Sequence, residues 1–138
     1  MTQVIIHTNE NGGVTVTHPS PEFLKTHTIE DVLAKDCPSH AIIVNRDSLP
    51  YNDNDFFDAW ELNNGVVTVN LSKSKEITKE RLRQERKPLL LAQDVLFQRA
   101  LENGTDTTAI VAEKNRLRDI TLLADEATTL EELRNIQC

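Results

Sequence analysis

The chain has 138 residues, a net charge of −7 and 38% hydrophobic residues, but aromatic residues make up only 4% of it. This length allows a modest core, which must be built mainly from aliphatic side chains. Residues 1–72 hold ten acidic and three basic residues, and residues 73–138 hold twelve of each. Nucleic acid is disfavoured as a partner, because phosphate contacts need clustered cations. No run approaches the ~20 apolar residues that span a bilayer and no signal peptide is recognisable, so we expect a cytosolic protein that does not bind membranes.

The first half of the chain predicts short strands and one short helix. Residues 4–7 and 14–17 are rich in β-branched side chains and flank a turn of Asn and Gly, which is the pattern of a β-hairpin. Thr28 and Asp31 have the spacing of a capping box at the start of a helix. Residues 41–44 form an apolar run that favours a further strand.

A second hairpin is indicated by residues 59–62 and 66–69, which flank Asn63-Asn64-Gly65. Alternation along the strands would place Trp60 and Leu62 on one face together with two valines of the returning strand. The sheet would therefore be apolar on one side only, and the helices that follow are the natural cover for that side.

The second half predicts a long helix, a turn and a returning helix. The first helix would begin at Ser72 or Ser74, and Pro88 inside it predicts either a kink or two separate helices. Gly104 would end it, and Thr105 or Asp106 would cap the next helix. A short terminal helix is indicated by Thr129 and Glu132, which again have capping-box spacing.

These elements predict an α+β fold, in which a small antiparallel sheet of β-hairpins is followed by a C-terminal α-helical hairpin. Residues 1–72 would form an acidic, β-rich unit, and residues 73–138 a helical hairpin with a short terminal helix. Whether the two form a single compact domain stays open at this point.

No motif in the sequence indicates catalysis, a cofactor or a metal. Cys37 and His40 make one incomplete zinc-ligand pair, and the acidic run from Asp53 lacks the Gly and Glu of a calcium loop. Nucleophile-elbow, P-loop and dinucleotide-binding patterns are absent from the sequence. We therefore expect a protein that is not an enzyme and has no cofactor, with both cysteines reduced.

Two groups of residues are candidates for contact with a protein partner. The first is the cationic run in the long helix, which is otherwise interpreted as a solvated face; the second is aromatic and is otherwise interpreted as anchoring a loop to the core. The candidate residues are Arg81, Arg83, Arg86 and Lys87, and then Phe56, Phe57 and Trp60.

The helical half, with its charged run, Pro88-Leu89-Leu90 and the closing sequence Leu117 to Thr121, resembles small accessory proteins of tailed bacteriophages. The likeness is to the C-terminal helical hairpin of tail-assembly and tail-fibre-assembly proteins. Residues 12–19, 58–61 and 67–70 extend it over most of the chain. This chain departs from tail-fibre-assembly proteins in having Asp94-Val95-Leu96-Phe97 where they often carry a tryptophan.

The resemblance implies a non-enzymatic chaperone or adaptor that binds a phage tail or tail-fibre protein in the host cytoplasm during assembly. A minor structural component of the virion tail is the first alternative, and a host-directed factor or an unrecognised enzyme is the second. Self-association into a homo-oligomer also stays open.

Overall fold

The computed structural model describes residues 2–138 and has the expected α+β fold. The chain divides into two compact units, Met1–Asn70 and Leu71–Cys138. The first contains both sheets and a short helix, and the second contains only helices. The division lies two residues before the boundary expected from the change in charge.

The β-rich unit contains a three-stranded antiparallel sheet with the order β2-β1-β3. Its strands are β1 (Gln3–Thr8), β2 (Val14–Thr17) and β3 (Ile42–Asn45). Strand β1 lies in the centre and is buried on both faces, since Val4, Ile5 and Ile6 are all fully inaccessible to solvent. Helix α1 (Ile29–Asp36) contributes Ile29 and Val32 to the cluster around Ile5.

The second hairpin forms a separate two-stranded sheet of β4 (Trp60–Asn63) and β5 (Val66–Val69). The single sheet expected from the sequence is therefore wrong in this respect. The reason lies in residues 46–59, where Arg46–Ser48 and Tyr51–Ala59 form 3-10 helices that separate β4 from β3. Strand β4 contributes Trp60 to the cluster that also contains side chains of β1 and β2.

Local turn and capping signals in this unit act as expected. Thr28 accepts a hydrogen bond from the amide of Asp31, and the Asp31 carboxylate accepts one from the amide of Thr28. Asn64 and Gly65 both have positive φ, at 51° and 81°, which is the geometry of the tight turn expected between β4 and β5. Trp60 pairs with Val69 and Leu62 pairs with Val67, as alternation predicts.

The helical unit is built on α2 (Leu71–Asn103), followed by α3 (Thr108–Asp119), α4 (Leu122–Glu126) and α5 (Leu130–Asn135). Helix α2 continues through Pro88, so of the two alternatives expected there, a kink or two separate helices, the second is wrong. The three later helices all contact α2. The buried apolar residues of this unit are Leu82, Ala100, Leu117, Ile120, Ala124, Ala127, Leu133 and Ile136.

The connections of the helical unit follow the sequence signals closely. Gly104 has a φ of 66° after the end of α2, where an L side chain would be strained. The Asp106 carboxylate accepts hydrogen bonds from the amide and hydroxyl of Thr108 at the start of α3. At α5, Thr129 accepts from the amide of Glu132, whose carboxylate accepts from the amide of Thr128.

Candidate protein-binding surfaces

The aromatic residues expected to form a contact surface lie largely in the core of the β-rich unit. Trp60 is fully buried, its indole Nε1 donates to the carbonyl of Asp53 at 3.2 Å, and its ring lies 4.8 Å from that of Phe57. Phe56 is only 4% exposed and Phe57 is half-buried. The structure thus corrects the predicted aromatic surface, because the indole and phenyl rings supply the large apolar area that this small aliphatic core otherwise lacks.

Two of the four predicted cationic contact residues bind carbonyl groups of their own unit. Arg81 donates to the carbonyls of Leu133 at 3.2 Å and Ile136 at 2.8 Å, and Arg86 donates to that of Arg118 at 2.8 Å. These carbonyls lie at the C-terminal ends of α5 and α3, where a cation also interacts favourably with the helix dipole. Arg81 and Arg86 therefore hold the helical unit together.

The other two cations, Arg83 and Lys87, are exposed at the surface of α2. Arg83 lies 3.6 Å from the carboxylate of Glu80, and Lys87 donates to the side chain of Gln84 at 3.3 Å. Both contacts are local to α2 and solvent-exposed, so each contributes little free energy and leaves the side chain able to bind a partner. The structure thus separates the predicted cationic surface into two structural arginines and two surface cations.

Sequence reasoning missed an apolar surface on the outer half of α2. Leu89, Val95 and Leu96 are 42%, 50% and 44% exposed, and Ala92 between them is also exposed. Helical geometry, at about 100° per residue, places these four side chains on one side of α2. We call this set the α2 stripe.

Helix α3 lies against a different side of α2 from the stripe. Lys114 of α3 forms an ion pair with Asp94 at 2.7 Å and sits over the ring of Phe97 at 5.0 Å. The signal for the stripe was present in the sequence, because the apolar residues of α2 after Pro88 are too many to face a single neighbouring helix.

A second apolar surface lies on α4, where Leu122 and Leu123 are 55% and 48% exposed. We call this pair the α4 patch. Leu123 also lines a shallow cavity of about 310 Å³ together with Ala127, Ile136 and the carboxylates of Glu126 and Glu132. The lining of this cavity therefore combines apolar side chains with two carboxylates.

Two cavities of the β-rich unit each contain a single titratable side chain. A shallow cavity of about 420 Å³ has His18 as its only titratable lining side chain, the others being Thr2, Gln3, Val4, Pro19, Pro21, Leu24 and Ile29. Another cavity, of about 340 Å³, contains one carboxylate, that of Asp58. Neither arrangement supplies the paired acid and base of general acid–base catalysis.

Several carboxyl groups have a pKa below the ordinary value because nearby hydrogen-bond donors stabilise the charged form. The donors are the amide and hydroxyl of Thr28 for Asp31, the side chain of Gln84 for Glu80, the hydroxyl and amide of Thr108 for Asp106, and the guanidinium of Arg116 for Glu113. A catalytic acid at neutral pH needs the opposite shift. These four carboxylates thus accept hydrogen bonds at the starts of helices or from neighbouring side chains on the surface.

Metal-ligand chemistry is equally sparse in the described part of the chain. Within residues 2–138, no group of three or more His, Cys, Asp or Glu side chains is placed to hold a metal ion. In the Cys37–His40 pair noted in the sequence, His40 contacts other groups. The Nε2 atom of His40 lies 3.2 Å from the carbonyl oxygen of Thr8, and its ring packs edge-on against that of His7 at 5.7 Å.

Comparisons of the chain with protein-family models, curated proteins and solved structures find no match. Over residues 2–138, none of the helices combines the length and the apolar character that crossing a membrane requires.

Proposed function

We propose that this protein is an assembly factor of tailed bacteriophages, which binds a tail or tail-fibre protein without catalysing a reaction. It would act in the host cytoplasm as a chaperone or adaptor. The observation that supports this proposal is the concentration of exposed apolar side chains on the helical unit. Among the described residues, eight of the ten large apolar side chains that are at least 39% exposed belong to this unit.

Exposed apolar surface of this kind is typical of proteins that bind other proteins. Isolated exposed leucines are common, but clustered ones mark interaction sites, because burial against a partner removes apolar area from water. The resemblance of the helical half to tail-assembly proteins supplies the class of partner. Together they favour a role in protein–protein binding over catalysis.

Within the helical unit, the α4 patch is the surface that we assign to the tail or fibre partner. Leu122 and Leu123 are both exposed, and Leu123 lines a cavity that would accept an apolar side chain, together with Glu126 and Glu132. A matching partner segment would present an apolar residue flanked by lysine or arginine, since opposite charges at an interface favour correct docking.

The test is affinity capture of phage tail or tail-fibre proteins from infected cells, with the tagged chain as bait. We expect capture by the wild type and a loss of about tenfold or more in the Leu122→Ser/Leu123→Ser double variant, as for the central residues of an interface. Val66→Ser is the matched control, because Val66 is 59% exposed but lies in the β-rich unit. Failure of the wild type to retain any tail or fibre protein would refute the proposal.

A second measurement separates an assembly factor from a component of the particle. Mass spectrometry of gradient-purified phage should find the protein absent from the particle although abundant in the lysate. A copy number comparable to that of a tail protein would instead make it a minor structural component of the virion tail.

A further inference from the structure

The outer half of α2 carries apolar and charged residues at positions that are symmetric about Ala92, with charges of opposite sign at the two ends. Glu85, Ala92 and Arg99 are spaced by seven residues, which places them along one line on the helix surface. Ala92 is at the centre, with an acidic residue seven positions before it and a basic residue seven positions after it. All three are exposed, and the Glu85 carboxylate also accepts a hydrogen bond from the guanidinium of Arg81, one turn earlier on the same helix, at 2.9 Å. Because this pair is solvent-exposed, the carboxylate can still meet a second cation.

Apolar residues fill the gaps of this pattern with the same symmetry. Leu89 and Pro88 lie three and four residues before Ala92, and Val95 and Leu96 lie three and four residues after it. These are the spacings at which side chains share one face of a helix. The α2 stripe is therefore the middle of a longer seam, from Glu85 to Arg99, of about 21 Å at 1.5 Å per residue.

From this arrangement we propose that two copies of the chain associate through their α2 helices, antiparallel, with Ala92 on the two-fold axis. In this register Glu85 faces Arg99 of the second copy, and Leu89 faces Val95. A parallel pair would instead place like charges together at both ends, where they repel. The small side chain of Ala92 allows the helices to approach closely at the point where they cross.

Charge complementarity identifies the occupant of this seam as a second copy of the same chain. An unrelated apolar partner would have no need of opposite charges at equal distances from a central alanine. A two-fold interface does, because each contact in it occurs twice. The seam lies on α2, separate from the α4 patch, so this inference is independent of which protein the helical unit binds.

The seam is short, and this sets the strength of the association. Interfaces below the standard size are generally weak and transient. We therefore expect a dissociation constant on the order of 10 µM, with monomer at low concentration and dimer at high concentration. A wild-type chain that sediments as a monomer at about 200 µM would overturn the proposal.

Charge reversal provides the decisive experiment on the full-length chain. Arg99→Glu and Glu85→Arg each place two like-charged pairs in the dimer, so each variant alone should dimerise at least about tenfold more weakly than the wild type. An equal mixture of the two variants restores opposite charges at both ends. It should dimerise within about threefold of the wild type, whereas two variants that had lost their fold would not recover.

A disulfide test checks the register directly. In a Cys37→Ser/Cys138→Ser background, Ala92→Cys should form a disulfide-linked dimer under mild oxidation, because the two copies of residue 92 meet at the axis. Gln98→Cys is the matched control on the same exposed helix. Its two copies would lie about 18 Å apart along the seam, beyond the reach of a disulfide. Equal cross-linking of both cysteine variants would refute the antiparallel seam. So would a failure of Ala92→Cys to cross-link together with a failure of the two charge-reversal variants to dimerise when mixed.

Discussion

Arg81 and Arg83 are two positions apart in the same helix, yet their guanidinium groups have different surroundings. Arg81 reaches two carbonyls at the end of α5, while Arg83 has only a loose contact with Glu80. Two residues correspond to a turn of about 200° around the helix axis, so the two side chains point to nearly opposite sides. Whether a cation is structural therefore depends on which side of α2 the later helices cover.

This difference predicts unequal costs of substitution. Arg81→Ala should lower the free energy of unfolding by about 1–2 kcal/mol, since it removes charge-assisted hydrogen bonds to half-buried carbonyls. Arg83→Ala should change it by less than about 0.5 kcal/mol, as for an exposed ion pair. Urea unfolding followed by far-UV circular dichroism would measure both. A change in unfolding free energy for Arg81→Ala as small as that for Arg83→Ala would show that Arg81 has no structural role.

The Asp31 carboxylate predicts how the stability of the fold depends on pH. Hydrogen bonding from the amide and hydroxyl of Thr28 holds the pKa of Asp31 below its ordinary value of 3.8. The folded state therefore binds this proton less tightly than the unfolded state. The resulting stabilisation is present above about pH 3.8 and is lost as the pH falls through the folded-state pKa below it.

Asp31→Asn keeps the shape of the side chain but removes this titration. The difference in unfolding free energy between the wild type and Asp31→Asn should be largest near neutral pH and should shrink at about pH 3. Thermal or urea unfolding at several pH values would measure it. A difference that did not change with pH would contradict the assigned role of the carboxylate.

At the scale of elements, α2 combines a regular helix with a residue that ordinarily interrupts one. Pro88 has no amide hydrogen to donate and its ring crowds the preceding turn, yet the helix extends from Leu71 to Asn103. The helix is held before Pro88 by Arg81 and Arg86, and after it by contacts of Asp94 and Phe97 with Lys114. Contacts to other helices on both sides thus maintain a continuous helix against the local preference.

Pro88→Ala should therefore stabilise the helical unit. Proline destabilises an ordinary helix interior by about 3 kcal/mol. It also restricts the unfolded chain, which stabilises the folded state by about 0.4–1 kcal/mol, and Pro88→Ala loses this smaller contribution. We expect a net gain of about 2–2.6 kcal/mol in unfolding free energy, measured at a concentration where the chain is monomeric. Destabilisation by this substitution would show that the fold uses the proline geometry.

The elements that sequence reasoning predicts correctly depend on neighbouring residues. The turn at Asn64-Gly65, the cap at Thr28 and the stop at Gly104 follow from the conformational and hydrogen-bonding properties of those residues. Residues 46–59 are different, because their 3-10 helices set β4 apart from β3 and no short-range signal reports this. The burial of Trp60 is equally non-local, since it depends on strands more than 40 residues earlier in the chain.

For the candidate surfaces, the sequence showed which residue types were present but could not show which would be covered. An exposed Leu96 and a buried Leu117 both lie in apolar helical patterns, yet they are 44% and 1% exposed. The position of α3, α4 and α5 around α2 decides between them. The contact surfaces therefore had to be found in the structure.

At the scale of the whole molecule, each unit has a hydrophobic core of its own. The clusters around Trp60 and around Ile5 are composed entirely of residues from Met1–Asn70. The long-range hydrogen bonds of Arg81 and Arg86 lie entirely within Leu71–Cys138. These clusters and hydrogen bonds thus each lie within one unit.

Separate expression of residues 1–70 and 71–138 should therefore give two folded fragments. We expect the second to keep a strongly helical circular dichroism spectrum and a cooperative thermal transition, because α3, α4 and α5 all contact α2 within it. The first should keep near-UV signals from the buried Trp60. A fragment 71–138 with a random-coil spectrum would contradict this division.

The hydrogen bonds from Arg81 to the end of α5 also bear on which part of the helical unit unfolds first. They join residues 52 and 55 positions apart, and the Cys138 thiol adds a contact to the carbonyl of Leu82 across 56 positions. Closing so long a loop costs more chain entropy than joining α2 to α3 across the short Gly104 turn. The segment from α5 onward should thus detach while the α2–α3 hairpin stays intact, and its amides should exchange hydrogen with solvent earliest in this unit.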